Sequence, residues 1–197
     1  MEITNTHVDA LIWDYINRYT SQNEAARIVR DALDNLGVGL RPLLDHISVR
    51  TNDIQERALE FEAFGFSYDD NLGVMERDTW WAKVYRKPGF PAIYLDQAFH
   101  DQRGVDSPLT GWVNKFSDGG LHHIAISVGT LEVAMKGLNA LGIQFAGEII
   151  GEVGSEYRQV YTVPEMIDGE PFTTLELIER RWGFTGFLSP VAGEPKM

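Results

Sequence analysis

The sequence predicts an α+β protein in which an N-terminal helical pair precedes paired strand–helix–three-strand (βαβββ) modules. Three observations predict it. The texture changes at Leu43, from apolar residues at helical spacing to short apolar runs punctuated by Gly, Pro and Asp. The order strand, helix, three strands then occurs twice. The two copies also open alike: DHISVRTNDIQ starts at Asp45 and HHIAISVGTLE at His122. Each places a His at the start of a strand that turns into an amphipathic helix. The copies lie roughly 75 residues apart, longer than a solenoid repeat, which makes them two modules and not an array.

The elements follow in order. Val8, Leu11, Ile12 and Tyr15 share one helical face, with Thr6 as the expected N-cap. Ser21-Gln22-Asn23-Glu24 matches the capping-box pattern ahead of Ala25, Ile28, Val29, Ala32 and Leu33. Gly37 and Gly39 end that helix and Pro42 prevents its return. Strands are expected at 43–50, 80–86 and 92–95, with a short one at 66–68 and a helix over 54–64 closed by Gly65. The polar stretch from Asp96 to Gly120 reads as a linker with a short helix near Trp112. Strands at 121–128, 145–153, 158–163 and 173–180 and a helix at 131–141 complete the second copy. The domain organisation is thus a helical extension over 1–40, a first module over 41–98, a linker over 99–120, a second module with a C-terminal flap over 121–190, and a tail over 191–197.

Composition narrows the function. The 197 residues carry 17 Lys+Arg against 29 Asp+Glu, a net charge of −12, which argues against a general nucleic-acid binder because phosphate contacts need clustered cations. No cysteine is present, which removes disulfides, thiolate zinc sites, iron–sulfur clusters and a Cys nucleophile. No apolar run reaches the roughly 18 residues of a membrane span. The start MEITNTHVDALIWDY lacks the basic n-region and apolar run of a secretory signal, so the expected location is cytoplasmic.

Strand alternation decides which side chains share a face. His46, Ser48 and Arg50 point one way, and Ile47 and Val49 the other. His123, Ala125 and Ser127 oppose Ile124, Ile126 and Val128. Thr174, Glu176, Ile178 and Arg180 oppose Leu175 and Leu177. Each strand has an apolar side for helices and a side that carries His or Glu. Two His and one carboxylate, His46, His123 and Glu176, are the ligand set of a facial-triad iron(II) site, which leaves positions open for a chelating substrate and O2. The same ligands suit zinc, nickel or manganese. A single strand His is more often a hydrogen-bonded structural residue; the shared position in both copies is what lifts the set above that reading. His122 competes with His123 but faces the other way, and His7 and His100 read as solvated.

The repeat resembles the vicinal oxygen chelate superfamily, in which paired βαβββ modules form a curved half-open barrel around a metal. The tail RQVYTVPEMIDGEPFTTLELIERRWGFTGF is similar to the C-terminal ligand region of 4-hydroxyphenylpyruvate dioxygenases, with Gln159, Thr162, Pro164, Glu176, Arg180, Gly183 and Phe184 in matching order. DHISVR, with His46 and Arg50, resembles the His-x-x-x-Arg strand of the 2-oxoadipate dioxygenase/decarboxylase (hydroxyglutarate synthase) family. The resemblance covers roughly residues 40–190; those relatives are expected to be longer, which points to a different substrate or a sister family.

The resemblance implies a non-haem iron(II) dioxygenase that oxidatively decarboxylates a small 2-oxo acid with O2. It implies Arg50 as a clamp for a substrate carboxylate, with a structural ion pair as its alternative, and Gln159 as an orienting amide. Ser48 and Tyr94 are further pocket candidates, and Arg180 reads as a structural partner. Tyr94 aligns with Glu176, so the first module offers no carboxylate there, which favours a three-ligand site over a four-ligand glyoxalase site. Trp80, Trp81 and Tyr85 read as core, and Trp182 to Phe187 as the flap. The rival readings are a metal-dependent lyase or isomerase of glyoxalase type and a non-catalytic small-molecule binding protein. Edge pairing of modules would make a homodimer.

Overall fold

The protein is described by a computed structural model covering residues 4–187, so the tail expected over 191–197 lies outside the described residues. The fold is α+β with paired βαβββ modules. Among the described residues no helix is long and apolar enough to cross a membrane.

Helix α1 (Asn5–Gln22) begins after Thr4, whose carbonyl accepts from His7 and Val8. Thr6 therefore lies within the helix and does not cap it. Helix α2 (Glu24–Asn35) is capped by Asn23, whose side chain accepts from Ala26 N at 2.8 Å. The expected capping box shifts because α1 runs on through Ser21, whose hydroxyl bonds Arg18 O at 2.6 Å. Gly37 and Gly39 end α2 with φ of 71° and 74°, a region glycine enters without a Cβ penalty.

The first module contains β1 (Leu44–Arg50), α3 (Ile54–Ala63), β2 (Ser67–Tyr68), β3 (Met75–Glu76), β4 (Trp80–Arg86) and β5 (Ala92–Ala98), followed by α4 (Pro108–Lys115). The second contains β6 (Gly120–Ser127), α5 (Leu131–Ala140), β7 (Phe145–Ile150), β8 (Tyr157–Thr162), the hairpin β9 (Met166–Ile167) with β10 (Glu170–Pro171), and β11 (Thr174–Arg180). Strand β5 runs to Ala98, past the expected Leu95, because Asp96 and Gln97 find buried partners: Arg50 for the first and the Ile54 N–H, at 2.8 Å, for the second. The β3 strand and the β9–β10 hairpin were not anticipated; two-residue strands carry no readable period.

The described residues resolve into two compact units, 4–15 with 46–122, and 16–45 with 123–187. In the first, the strands run in the order β2-β4-β5-β1, with β3 on β4. Strand β1 is parallel to β5, and β5 antiparallel to β4. Ile47, Val49, Ile93 and Leu95 are almost fully buried on the face opposite His46, and Tyr15 of α1 stacks on Phe61 of α3 at 6.1 Å. The second unit repeats this order as β7-β8-β11-β6, with β6 parallel to β11 and β11 antiparallel to β8. Ile124, Leu175, Leu177 and Val160 supply its apolar face. The same topology twice over is the structural counterpart of the repeated DHISV and HHIAI openings.

Candidate metal centre

In the second unit, parallel pairing of β6 with β11 sets His123 opposite Thr174 and Ala125 opposite Glu176. Partners in register share a face, so the imidazole and the carboxylate point the same way. His123 Nε2 lies 3.3 Å from Glu176 Oε2, and both side chains are buried. On the other flank of β11, β8 pairs Tyr161 with Glu176, Gln159 with Ile178 and Tyr157 with Arg180. The Tyr161 ring meets the His123 ring edge-on at 5.8 Å, and the Tyr157 hydroxyl reaches Glu176 Oε1 at 3.5 Å. Gln159 is buried on this face and its Nε2 donates to Tyr161 Oη at 3.3 Å. Tyr157 and Tyr161 escaped the sequence reading, although their alternation with Gln159 in YRQVY was legible.

Local bonds hold this arrangement. The Tyr19 hydroxyl of α1 donates to the Thr174 carbonyl, and complete burial pushes its own pKa up. Thr174 Oγ1 donates to Thr162 O at 2.6 Å, and Thr162 Oγ1 accepts from Leu175 N at 3.0 Å. At the far end of β11, Arg180 grips Asp45 with Nε and Nη2 at 2.7 and 2.9 Å and covers the Tyr157 ring at 4.6 Å. It also donates to Gly186 O. Phe184 and Phe187 flank Tyr157 at 6.1 and 6.3 Å. Arg180 is thus the structural partner that the sequence suggested, and it ties the segment expected as a flap to the strand that bears Glu176.

In the first unit, β1 pairs Ser48 with Tyr94 and Arg50 with Asp96 of β5. Tyr94 therefore stands where Glu176 stands in the second unit, one pair beyond the His. Its ring lies 5.9 Å from that of His46, and both are buried. Arg50 meets Asp96 with Nε 3.6 Å from Oδ2, and its guanidinium lies over Trp112 of α4 at 5.3 Å. Burial drives the Asp96 carboxyl up to about 6, although Arg50 opposes the shift. Asp96 was missed because its polarity read as the start of a linker; continuing the alternation of Ala92 and Tyr94 by one step would have placed it on the His46 face.

The remaining histidines divide as expected. His122 is buried with its ring edge-on to Trp112 at 5.7 Å. His7 bonds Thr4 near the start of α1, and His100 is exposed, with Nε2 2.9 Å from Asn52 O. Tyr85 is buried and Trp80 and Trp81 are half-buried. His46, His123 and Glu176 are the described residues whose side chains could hold a metal ion, each buried and each offering one ligand atom. Two neutral imidazoles and one carboxylate suit a divalent transition metal chemically, and the 3.3 Å approach of His123 to Glu176 suits shared ligation.

No protein-family model and no curated protein matches the sequence. Solved structures do match. A Shewanella frigidimarina protein ascribed to the hydrolases aligns over 96% of this chain and 100% of its own, with TM-score 0.76 and 16% identity. Hydroxyglutarate synthase of Oryza sativa, solved with 2-oxoadipate, aligns over 88% of this chain and 80% of its own, with TM-score 0.69 and 14% identity. A Ralstonia eutropha protein ascribed to the glyoxalase superfamily aligns over 84% and 81%, with TM-score 0.66 and 12% identity. The coverage with hydroxyglutarate synthase is nearly mutual, so the expected gap in length is small for that neighbour. The chain has the fold of the glyoxalase, or vicinal oxygen chelate, superfamily.

Proposed function

We propose that the protein is a non-haem iron(II)-dependent dioxygenase that oxidatively decarboxylates a small 2-oxo acid. The observation that carries the reading is the buried His123–Glu176 pair, 3.3 Å apart on parallel strands, with a His at the same strand position of the first unit. His46, His123 and Glu176 would hold the metal. Tyr94 in place of a fourth carboxylate leaves the ligand set at three, which suits a centre that must also take a substrate and O2. The fold shared with a hydroxyglutarate synthase that binds 2-oxoadipate supports a 2-oxo acid as the substrate class.

Iron(II) bound there would supply Lewis acidity toward the 2-oxo acid and the activation of O2. The chain's own groups do the positioning. Tyr157 holds the second oxygen of Glu176, which fixes the carboxylate's rotation. Gln159, braced by Tyr161, presents an amide on the same face to orient a bound carboxylate or keto oxygen. Tyr94 sets its ring beside His46 in the first unit and Tyr161 sets its ring beside His123 in the second, apolar surface that would limit water at each imidazole.

The test is oxygen consumption. Metal-free protein, reconstituted anaerobically with iron(II), is mixed with O2 and a panel of 2-oxo acids, with His123→Ala and Glu176→Ala in parallel. Substrate-dependent O2 uptake with release of carbon dioxide, lost in both variants, is expected. Stoichiometric metal binding with turnover but no O2 uptake would assign the centre to the glyoxalase-type lyases and isomerases. Failure to bind any divalent metal would leave a small-molecule binding protein.

A further inference from the structure

The face of the first unit that carries His46 continues as a row of polar side chains. Along β1 it holds His46, Ser48 and Arg50, and along β5 it holds Tyr94 and Asp96. At about 3.3 Å per residue, Ser48 lies about 7 Å and the Arg50–Asp96 pair about 13 Å along the strand from His46. Ser48 is fully buried and Asp96 is 4% exposed. Among the described residues, Ser48 Oγ and Asp96 Oδ1 are buried atoms with no hydrogen-bond partner. Such atoms are costly to leave unmet, and here both lie on one face of one pair of strands.

Charge decides what these atoms could take. Arg50 and Asp96 sum to zero, with Nε 3.6 Å from Oδ2 and the guanidinium lying over Trp112. A carboxylate brought to Arg50 meets the like charge of Asp96. An ammonium brought to Asp96 meets the like charge of Arg50. An uncharged group that both donates and accepts satisfies the row without either conflict: it donates to Asp96 Oδ1 and accepts from the Ser48 hydroxyl. The rise of the Asp96 carboxyl to about 6 is the sign of a carboxylate that Arg50 alone does not fully offset.

We propose that Ser48, Arg50 and Asp96 form a specificity subsite that selects an acid whose far end bears a hydroxyl, or a similar neutral donor–acceptor, over one ending in a second carboxylate. This rests on the 2-oxo acid reading for the near end of the substrate, while the subsite itself belongs to the first unit. It also recasts Arg50, which acts as half of a neutral pair and not as a bare carboxylate clamp.

The test uses 2-oxo acids of equal chain length ending in methyl, hydroxyl or carboxylate. Binding is measured by calorimetry to the full chain, with and without a divalent metal, in wild type, Asp96→Asn and Ser48→Ala. Wild type is expected to bind the hydroxyl-ended acid about tenfold more tightly than the carboxylate-ended one, the scale of one hydrogen bond to a charged group. Asp96→Asn should reverse that order. Ser48→Ala, which keeps both charges, should weaken the hydroxyl-ended acid about threefold to tenfold and leave the methyl-ended acid unchanged. If Asp96→Asn does not fold, Ser48→Ala decides. Preference of wild type for the carboxylate end, equal effects of Ser48→Ala on all ends, or no binding by any member overturns the subsite. Hydroxyl preference without O2 uptake supports the subsite and overturns the dioxygenase reading.

Discussion

Tyr94 and Glu176 occupy the same strand position in two copies of one topology, and this exchange decides what each His has beside it. In the first unit it is a phenol ring, in the second a carboxylate. Beside the carboxylate, the Tyr157 hydroxyl donates to Glu176 Oε1 at 3.5 Å. Tyr157→Phe should weaken iron(II) binding by about tenfold, the low end for partners of metal ligands because the bond is long, with the fold intact by circular dichroism. A metal-binding isotherm checks it; an unchanged isotherm would remove Tyr157 from the site. Asp96 makes a second residue-level prediction. Its carboxyl titrates near 6 in the fold and near 4 in the unfolded chain. The folded state therefore keeps a proton that the unfolded chain has lost, and this group's contribution to stability declines as pH rises from about 4 to about 6. Relative to Asp96→Asn, wild type should lose up to about 3 kcal/mol between pH 4 and pH 7 in urea unfolding. Parallel pH profiles for the two proteins would count against it.

At the level of elements, each strand's register follows from its apolar face, since a one-residue slip would turn Glu176 onto the apolar face in place of Leu175. That alternation was readable from the sequence alone, and it put His46, His123 and Glu176 on the faces they occupy. Helix starts were less readable. The α1–α2 junction is decided by Asn23, which caps α2 and also donates to Thr173 Oγ1 at 3.2 Å, a contact 150 residues away that no local pattern announces. Asn23→Ala should cost about 2 kcal/mol in denaturant unfolding, near the upper end for an N-cap because a buried side-chain bond is lost with it. A cost below about 0.5 kcal/mol would mean that the capping bond is replaced locally. The end of β5 has the same character. Asp96 and Gln97 look like loop residues by composition, and they stay in the strand because Arg50 and the Ile54 N–H meet them there.

At the level of the whole molecule, a metal held by His46, His123 and Glu176 would bind the folded chain and not the unfolded one. At a free concentration of 100 times Kd this should raise stability by about 2.7 kcal/mol, a thermal shift of several degrees for a chain of this size. Glu176→Ala should abolish the shift, and chelation should reverse it in wild type. What the sequence by itself determined was the class of the fold, the two modules and the candidate ligand set. Those rest on period, on glycine punctuation and on a motif that recurs, all of which are written in neighbouring residues. The tertiary structure decided which polar groups meet: Asp96 with Arg50, Tyr157 and Tyr161 with Glu176 and His123, and Arg180 with Asp45. These partners are far apart in the chain or on separate strands. Hydrogen bonding and ion pairing act at about 3 Å in space, and only strand pairing brings such residues within that range.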